Sequence, residues 1–430
     1  DLHLSIRRQR QMCIRDSYAT TDTQEDADLI IVNTCHIREK ASEKLFSDLG
    51  RIKKIKDKKR LTVAVTGCVA QAEGEQISAR APFVDLITGP QSYHRLPEML
   101  RKVANGKSIS PLLEFMPNEK FDNLEFGRNK KGPTSFVSIQ EGCDKFCTFC
   151  VVPYTRGAEF SRSISEIIDE VNNLTDHGVI EVTLLGQNVN SWHGVDYKGK
   201  ERGLAYLINE ISNIKKIKRI RYTTSHPLDM DEELILAHKN LKKLMPYLHL
   251  PVQSGSDKIL NAMNRKHTAK DYIKIIDKIR KINPEIALSG DFIVGFPGET
   301  DKDFNDTIRL IKEVQYAQSY SFKYSERPGT PASVLDFQVP ENEKRIRLEK
   351  LQEILFEQQE KYNSSFLGKE VEVLIEKTGG RDDQIMGRSQ YMQSVYMNKN
   401  LGKIGEIKKV KISHAGKNSL KVCLLYTSPS

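Results

Sequence analysis

Apolar and polar positions divide the chain into three stretches of different rhythm. From about Tyr18 to Met99, short apolar runs alternate with amphipathic segments. Ala27–Asn33 and Leu61–Thr66 read as buried strands, Phe83–Thr88 as a third short one, and 38–54 as a helix. A polar stretch from Asn118 to Pro133 reads as a linker. Six apolar runs follow: Ser135–Gln140, Glu181–Leu185, Arg219–Thr223, Tyr247–Pro251, Ala287–Val294 and Ser319–Tyr324. Helical patterns such as Ile164–Leu174 and Asp271–Ile282 lie between them, so the stretch predicts a parallel barrel or partial barrel. A charged helix over Glu341–Phe366 leads into Val371–Ile375, Gln393–Tyr396 and Ile407–Ile412, short alternating runs separated by glycines that predict a small β-barrel.

The fold class expected is therefore α/β: an α/β sheet domain at 18–117, a (β/α) barrel at 129–362 and a small β-barrel at 365–423. The ends, 1–17 and 423–430, break the pattern and are expected to be foreign to it. The 430 residues fit two or three domains. With 29% charged residues and no apolar run long enough to span a bilayer, a non-membrane, cytoplasmic protein is expected. A net charge of +9 is compatible with a polyanionic partner.

Three of the seven cysteines, Cys143, Cys147 and Cys150, fall in one CxxxCxxC loop just past the first barrel strand. Thiolates suit iron–sulfur clusters or zinc. Three on one loop can grip three corners of a 4Fe–4S cubane and leave one iron open. The alternative is a zinc knuckle, which wants a fourth ligand, and the next histidine, His177, falls in a helical segment. Cys35 and Cys68 each follow a strand, where open α/β sheets place ligands, although lone cysteines there are often buried bystanders. Gly295-Phe-Pro-Gly-Glu-Thr300 lies between a strand and a helix; a turn with Thr300 as helix cap is the plain reading.

Phe136–Gly157, with its three cysteines and Phe149, resembles the methylthiotransferase family of radical S-adenosylmethionine (SAM) enzymes. Seven further segments carry the likeness: Asn33–Arg38, Gly67–Gln71, Leu185–Val189, Thr224–Pro227, Leu250–Asp257, Gly295–Thr300 and Arg327–Pro331. The resemblance implies a fold of N-terminal α/β domain, radical SAM partial barrel and C-terminal TRAM barrel. It implies that Cys143, Cys147 and Cys150 hold the radical-SAM 4Fe–4S cluster and carry its chemistry, and that Phe149, Gly186, Gln187, Asn188, Gly295 and Gly298 meet SAM. Cys35 and Cys68 would be two of three ligands of a second, auxiliary 4Fe–4S cluster, whose third cysteine has no matching segment here. Cys13 is the one cysteine left near them, in surroundings unlike the family's.

The resemblance also implies partners: the anticodon loop of tRNA and an electron donor such as flavodoxin or ferredoxin, with a monomer expected. Val152–Gly157 favours the branch of the family that modifies position 37 of tRNA over the one that modifies a ribosomal protein. Phe366–Cys423 holds eleven Lys/Arg against six Asp/Glu, which suits phosphate contact or an ordinary solvated surface. Lys53–Arg60 and Lys215–Arg221 are further basic runs.

Overall fold

The structure is a computed structural model that describes residues 18–34 apart from residue 20, 41–107, 110–113 and 132–422. Strands Leu29–Thr34, Thr62–Gly67 and Leu86–Thr88 form a parallel sheet in chain order, with Leu29 opposite Thr62 and Ala64 opposite Leu86. Helix Ala41–Lys56 places Leu45, Leu49 and Ile52 on one stripe. That stripe packs with Val63, Val65 and Ile87. Ala64 and Leu86 point the other way, onto Leu96, Met99 and Leu100 of helix Leu96–Ala104. Alternate strand residues thus serve two apolar layers.

The second unit has six parallel strands in two ladders, each in chain order. Thr134–Ser138, Glu181–Leu185 and Arg219–Tyr222 make the first; Tyr247–His249, Ala287–Val294 and Gln318–Lys323 make the second. Ile220 joins them, donating its N–H to the Lys243 carbonyl at 2.7 Å and accepting from Met245 N–H at 3.0 Å. No pairing links the first strand to the sixth among the described residues, so the barrel is open along one side. Val182, Leu184, Ile220, Tyr222, Leu288 and Phe292 face the surrounding helices. The alternate residues face inward, and there Arg219, Arg221, His249, Ser289 and Asp291 replace the usual apolar filling. Capping boxes at Ser163/Glu166, Thr268/Asp271 and Thr300/Asp303 start three of the helices, so Thr300 is the cap its position suggests.

The C-terminal unit is a six-stranded curled sheet in the order Ile407–Lys411, Glu370–Thr378, Gln384–Ser389, Ser394–Asn398, Ser419–Lys421, His414–Ala415. Its two edge strands are separated in sequence by Ile412 and Ser413 alone, which requires the sheet to curl back on itself. Val371, Val373, Ile375, Val395 and Leu420 fill it and share one apolar cluster with Ala287 and Ala317, at the amino ends of the last two barrel strands. The sheet therefore sits on the amino-terminal end of the barrel.

This docking corrects the reading of Lys215–Arg221 as a free basic run. Arg219 and Arg221 are buried. Arg219 donates to the carbonyls of Arg388 and Glu372, both at 3.0 Å. Arg221 donates to those of Gln390 at 3.0 Å and Ser389 at 2.8 Å, and pairs with Glu181 at 3.1 Å. Only Lys215, Lys216 and Lys218 of the run stay exposed. No helix among the described residues is long and apolar enough to cross a membrane.

Candidate active site

The cysteine loop leaves the carboxyl end of the first barrel strand and is tied down from three directions. Gln140 is the central brace: its Oε1 accepts from the N–H groups of Gln187 at 2.8 Å and Asn188 at 3.1 Å, and its Nε2 donates to the Gly142 carbonyl at 2.8 Å. Gln187 Oε1 accepts in turn from Gly142 N–H at 2.7 Å. Gly186 permits this close approach, since a Cβ there would lie 2.4 Å from Gln140 Oε1. On the far side, Thr148 N–H and Oγ1 donate to the carbonyls of Met263 at 3.1 Å and Ala262 at 2.9 Å. Asn188 Nδ2 donates to Asp229 Oδ2 at 2.7 Å, and the other oxygen of Asp229 pairs with Lys145 at 2.6 Å. The loop is thereby held before any ligand arrives.

Cys147 is buried; Cys143 and Cys150 are half-buried. Burial pushes the Cys143 thiol up to about 11 and Cys150 up to about 12. Thiolate ligation would reverse this, because a bound cation deprotonates its thiols. The buried Arg265 guanidinium donates to Cys147 Sγ at 3.6 Å and to the Pro251 carbonyl. A donor aimed at a ligating sulfur is the arrangement that tunes an iron–sulfur centre. Among the described residues no three His, Cys, Asp or Glu side chains converge as ligands of one ion. His177, the nearest histidine in sequence, caps the end of helix Ile164–Asp176.

Around the loop the site is polar and unsatisfied. Asn188 Oδ1, Ser225 Oγ, His226 Nε2, Arg265 Nε and His267 Nε2 are buried without a hydrogen-bond partner. Asn188, Ser225 and His226 follow the carboxyl ends of barrel strands, and Arg265 and His267 lie between helices Asp257–Ala262 and Ala269–Ile282. Burial, and then Arg265, push His226 down to about 2 and His267 down to about 4, so both rings are neutral near pH 7. Their centroids lie 5.9 Å apart. Orphaned donors and acceptors in such a cluster fit a polar ligand, and with the three thiols the residues present fit both a cubane and a zwitterionic molecule beside it.

Phe149 packs with Met263, Phe296 and Tyr324 next to the loop. Gly295 has φ 70°, which favours glycine, and the place of its Cβ is filled by Lys344, whose Cγ would lie 2.3 Å away. Gly298 donates to the Phe337 carbonyl at 2.9 Å, with open space where a side chain would go. Cys68 opens helix Cys68–Arg80, which packs against Val152–Arg156, the turn just after Cys150. Half-buried Arg156 is within electrostatic reach of Cys68 and pairs with Glu141 at 3.1 Å. Gln91 Nε2 ties the two units by donating to the Arg156 carbonyl at 2.6 Å. Cys68 therefore lies at the start of the helix that packs on the turn after the cysteine loop. Cys35 and Cys13 lie outside the described residues.

Gln140, Arg265, His226, His267 and Asp229 were not singled out from the sequence. Gln140 and His226 lie inside segments that carry the family likeness, which is the signal that could have marked them.

The chain matches the Radical SAM superfamily over residues 137–311, the Uncharacterized protein family UPF0004 over 7–89 and the TRAM domain over 364–422. Among solved structures it is similar to the radical S-adenosylmethionine methyltransferase TsrM from Kitasatospora setae, seen with cobalamin and a [4Fe-4S] cluster. That likeness has a TM-score of 0.55 and 14% identity over 76% of this chain and 68% of that one. The same enzyme with tryptophan and a SAM analogue gives a TM-score of 0.54 at 13% identity, covering 76% and 67%. At these identities the likeness speaks for the fold alone. A Radical SAM domain between an UPF0004 domain and a TRAM domain, in this order, indicates the methylthiotransferase family of radical SAM enzymes.

Proposed function

We propose that the chain is a tRNA-2-methylthio-N6-dimethylallyladenosine synthase, which converts N6-isopentenyladenosine at position 37 of tRNA to its 2-methylthio form. The observation that carries the reading is the braced loop of three thiols at the mouth of the barrel, with the helix that Cys68 opens packed on the turn after it. Cys143, Cys147 and Cys150 would hold a 4Fe–4S cluster, and Cys68 with Cys35 would supply two of the three ligands of an auxiliary one. When bound, the first cluster supplies the one-electron chemistry that cleaves SAM, and the second offers sulfur.

The chain's own residues do the rest. Gln140 fixes the backbone of Gln187 and Asn188 at the edge of the site, where Asn188 Oδ1 is free to accept from a ligand's amino group. Arg265 donates to Cys147 Sγ, a charged donor aimed at the sulfur. Neutral His226 and His267 line the site without adding charge to it. The C-terminal sheet, with net +5 over Phe366–Cys423, suits a phosphate backbone. The Val152–Gly157 segment favours tRNA over a ribosomal protein as the substrate.

The test is anaerobic reconstitution with iron and sulfide, followed by nucleoside mass analysis of isopentenylated tRNA. The wild type should form 5′-deoxyadenosine, and should give the 2-methylthio nucleoside once a third cysteine completes the auxiliary cluster; replacing Cys143, Cys147 and Cys150 together by Ala should abolish both. Modification of ribosomal-protein peptide with none of tRNA would move the chain to the sister branch. Formation of 5′-deoxyadenosine by the triple variant would overturn the cluster assignment.

A further inference from the structure

The inner face of the barrel beside its open edge carries large aromatic rings that stay half-exposed. Barrel interiors of this kind are normally filled by side chains. Here Tyr320 and Phe322 on the sixth strand are 47% and 46% exposed, and Phe136 on the first strand is 41% exposed. Register fixes where they point. Paired residues of parallel strands share a face, and Tyr320 lies opposite Asp291, Phe322 opposite Ile293. Leu288, Phe292 and Val294 pack outward against the helices, so Ser289, Asp291 and Ile293 point inward and Tyr320 and Phe322 with them. Phe136 alternates with Val137, which is in the outer core, and so faces the same interior.

Polar groups meet the rings at this level. The Tyr320 ring stands edge-on to His249, with centroids 6.1 Å apart. His249 Nδ1 bonds Ser289 Oγ at 2.9 Å, and its Nε2 is 3.6 Å from Asp291 Oδ1. That oxygen is buried and has no hydrogen-bond partner. Burial and the Asp291 charge raise the Tyr320 hydroxyl above its ordinary pKa. Ile293, one step further along the strand, packs with Phe149 of the cysteine loop. The rings therefore lead from the open side of the barrel toward the thiols. Stacking rings with an acceptor beside them are what hold a base splayed out of RNA.

We propose that Tyr320 and Phe322, with Phe136 across the opening, form an aromatic cradle that stacks the adenine to be modified, and that Asp291 accepts the hydrogen on its N6. The apolar N6 substituent then lies against the rings. Asp291 selects for a base that keeps one N6–H, and the stacking fixes the plane of the purine relative to the cysteine loop. This rests on the tRNA reading above and names the residues that position its base.

The experiment uses the full chain and a synthetic anticodon stem-loop, read by fluorescence anisotropy. The loop carries N6-isopentenyladenosine, N6,N6-dimethyladenosine or an abasic sugar at the target position. Wild type should bind the isopentenyl loop about tenfold or more tightly than the abasic one, the size of one base–aromatic stack. Tyr320→Ala and Phe322→Ala should each remove about tenfold of that preference, and Tyr320→Phe should keep it. Asp291→Ala should remove the preference for N6-isopentenyladenosine over the dimethyl base, which has no N6–H to give. Melting temperature and iron content report whether each variant folds. Equal binding of isopentenyl and abasic loops by wild type, or an undiminished preference in a folded Tyr320→Ala Phe322→Ala double variant, overturns the cradle. So does a loss confined to SAM affinity in equilibrium dialysis, which would give the rings to the cofactor's own adenine. Nucleoside mass analysis of wild type tests the methylthiotransferase reading separately, since binding is read without turnover.

Discussion

The two ends of the barrel are built on opposite terms. At the amino end, Arg219 and Arg221 direct their guanidinium groups to four backbone carbonyls of the C-terminal sheet. Of the polar atoms left without a hydrogen bond there, Arg219 Nε and Glu181 Oε2 belong to one ion-paired set and the Tyr362 hydroxyl sits against the apolar cluster. At the carboxyl end, five side-chain atoms from Asn188, Ser225, His226, Arg265 and His267 are buried and unpartnered. Non-glycine residues there also take left-handed backbone: Phe146, Thr224 and Gln253 have φ of 47°, 70° and 76°. Buried polar groups are normally satisfied, and strain persists where the surroundings enforce it for function. The first end is a completed joint; the second is arranged around a ligand.

The largest effect should come from breaking the joint. Arg221→Ala removes both carbonyl contacts and leaves Glu181 buried without its nearest partner at 3.1 Å. Breaking a buried pair on one side costs about 3–5 kcal/mol. Urea unfolding should show that loss, with the C-terminal sheet loosening first by hydrogen exchange. A loss under about 1 kcal/mol, within the range of an exposed pair, would show that the joint is held by the apolar contacts of Ala287 and Ala317 instead.

Gln140→Ala tests the other end and should cost less. Gln140 is buried and satisfies two N–H groups and one carbonyl. Unpartnered buried polar groups cost about 1–3 kcal/mol, and water can reach part of this mouth, so about 2 kcal/mol is expected. The more telling readout is iron: the reconstituted variant should retain less iron than wild type while its far-UV circular dichroism is unchanged. Full iron retention would show that the loop needs no brace.

The same contrast explains what the sequence disclosed. All six barrel strands were legible within two or three residues, because their outer faces are continuous with one apolar core and helices separate them. The cysteine loop was legible because its spacing is local. Strand Gln384–Ser389 was missed: Gln384-Ile-Met-Gly-Arg-Ser389 has Gly387 in the middle and no clean alternation, and its place comes from pairing on both sides. The fate of Arg219 and Arg221 was not legible either. As a run with Lys215, Lys216 and Lys218 they look like surface charge, and only their inward alternation and the docked sheet 150 or more residues later decide otherwise. Long-range pairing of this kind leaves no local periodicity to read.

The smallest effect expected is a pH dependence that belongs to the carboxyl end. His226 and His267 are pushed down to about 2 and about 4, chiefly by burial and next by the Arg265 charge. In the unfolded chain both would take a proton near pH 6.5. The folded form refuses protons that the unfolded form binds, so stability is full above pH 6.5 and falls as pH drops toward 4. Each histidine contributes a slope of at most about 1.4 kcal/mol per pH unit in that window. The arginines of the amino end stay charged throughout and add no slope there. His267→Gln removes one titrating ring and leaves the joint intact, so the acid limb of a melting-temperature profile should become shallower, with values at pH 8 little changed. An unchanged acid limb would mean that His267 is protonated in the folded protein and pairs with a group such as Asp271 or Asp257, whose charges already act on it. The carboxyl end would then be as fully paired as the amino end, and the distinction between them would fall.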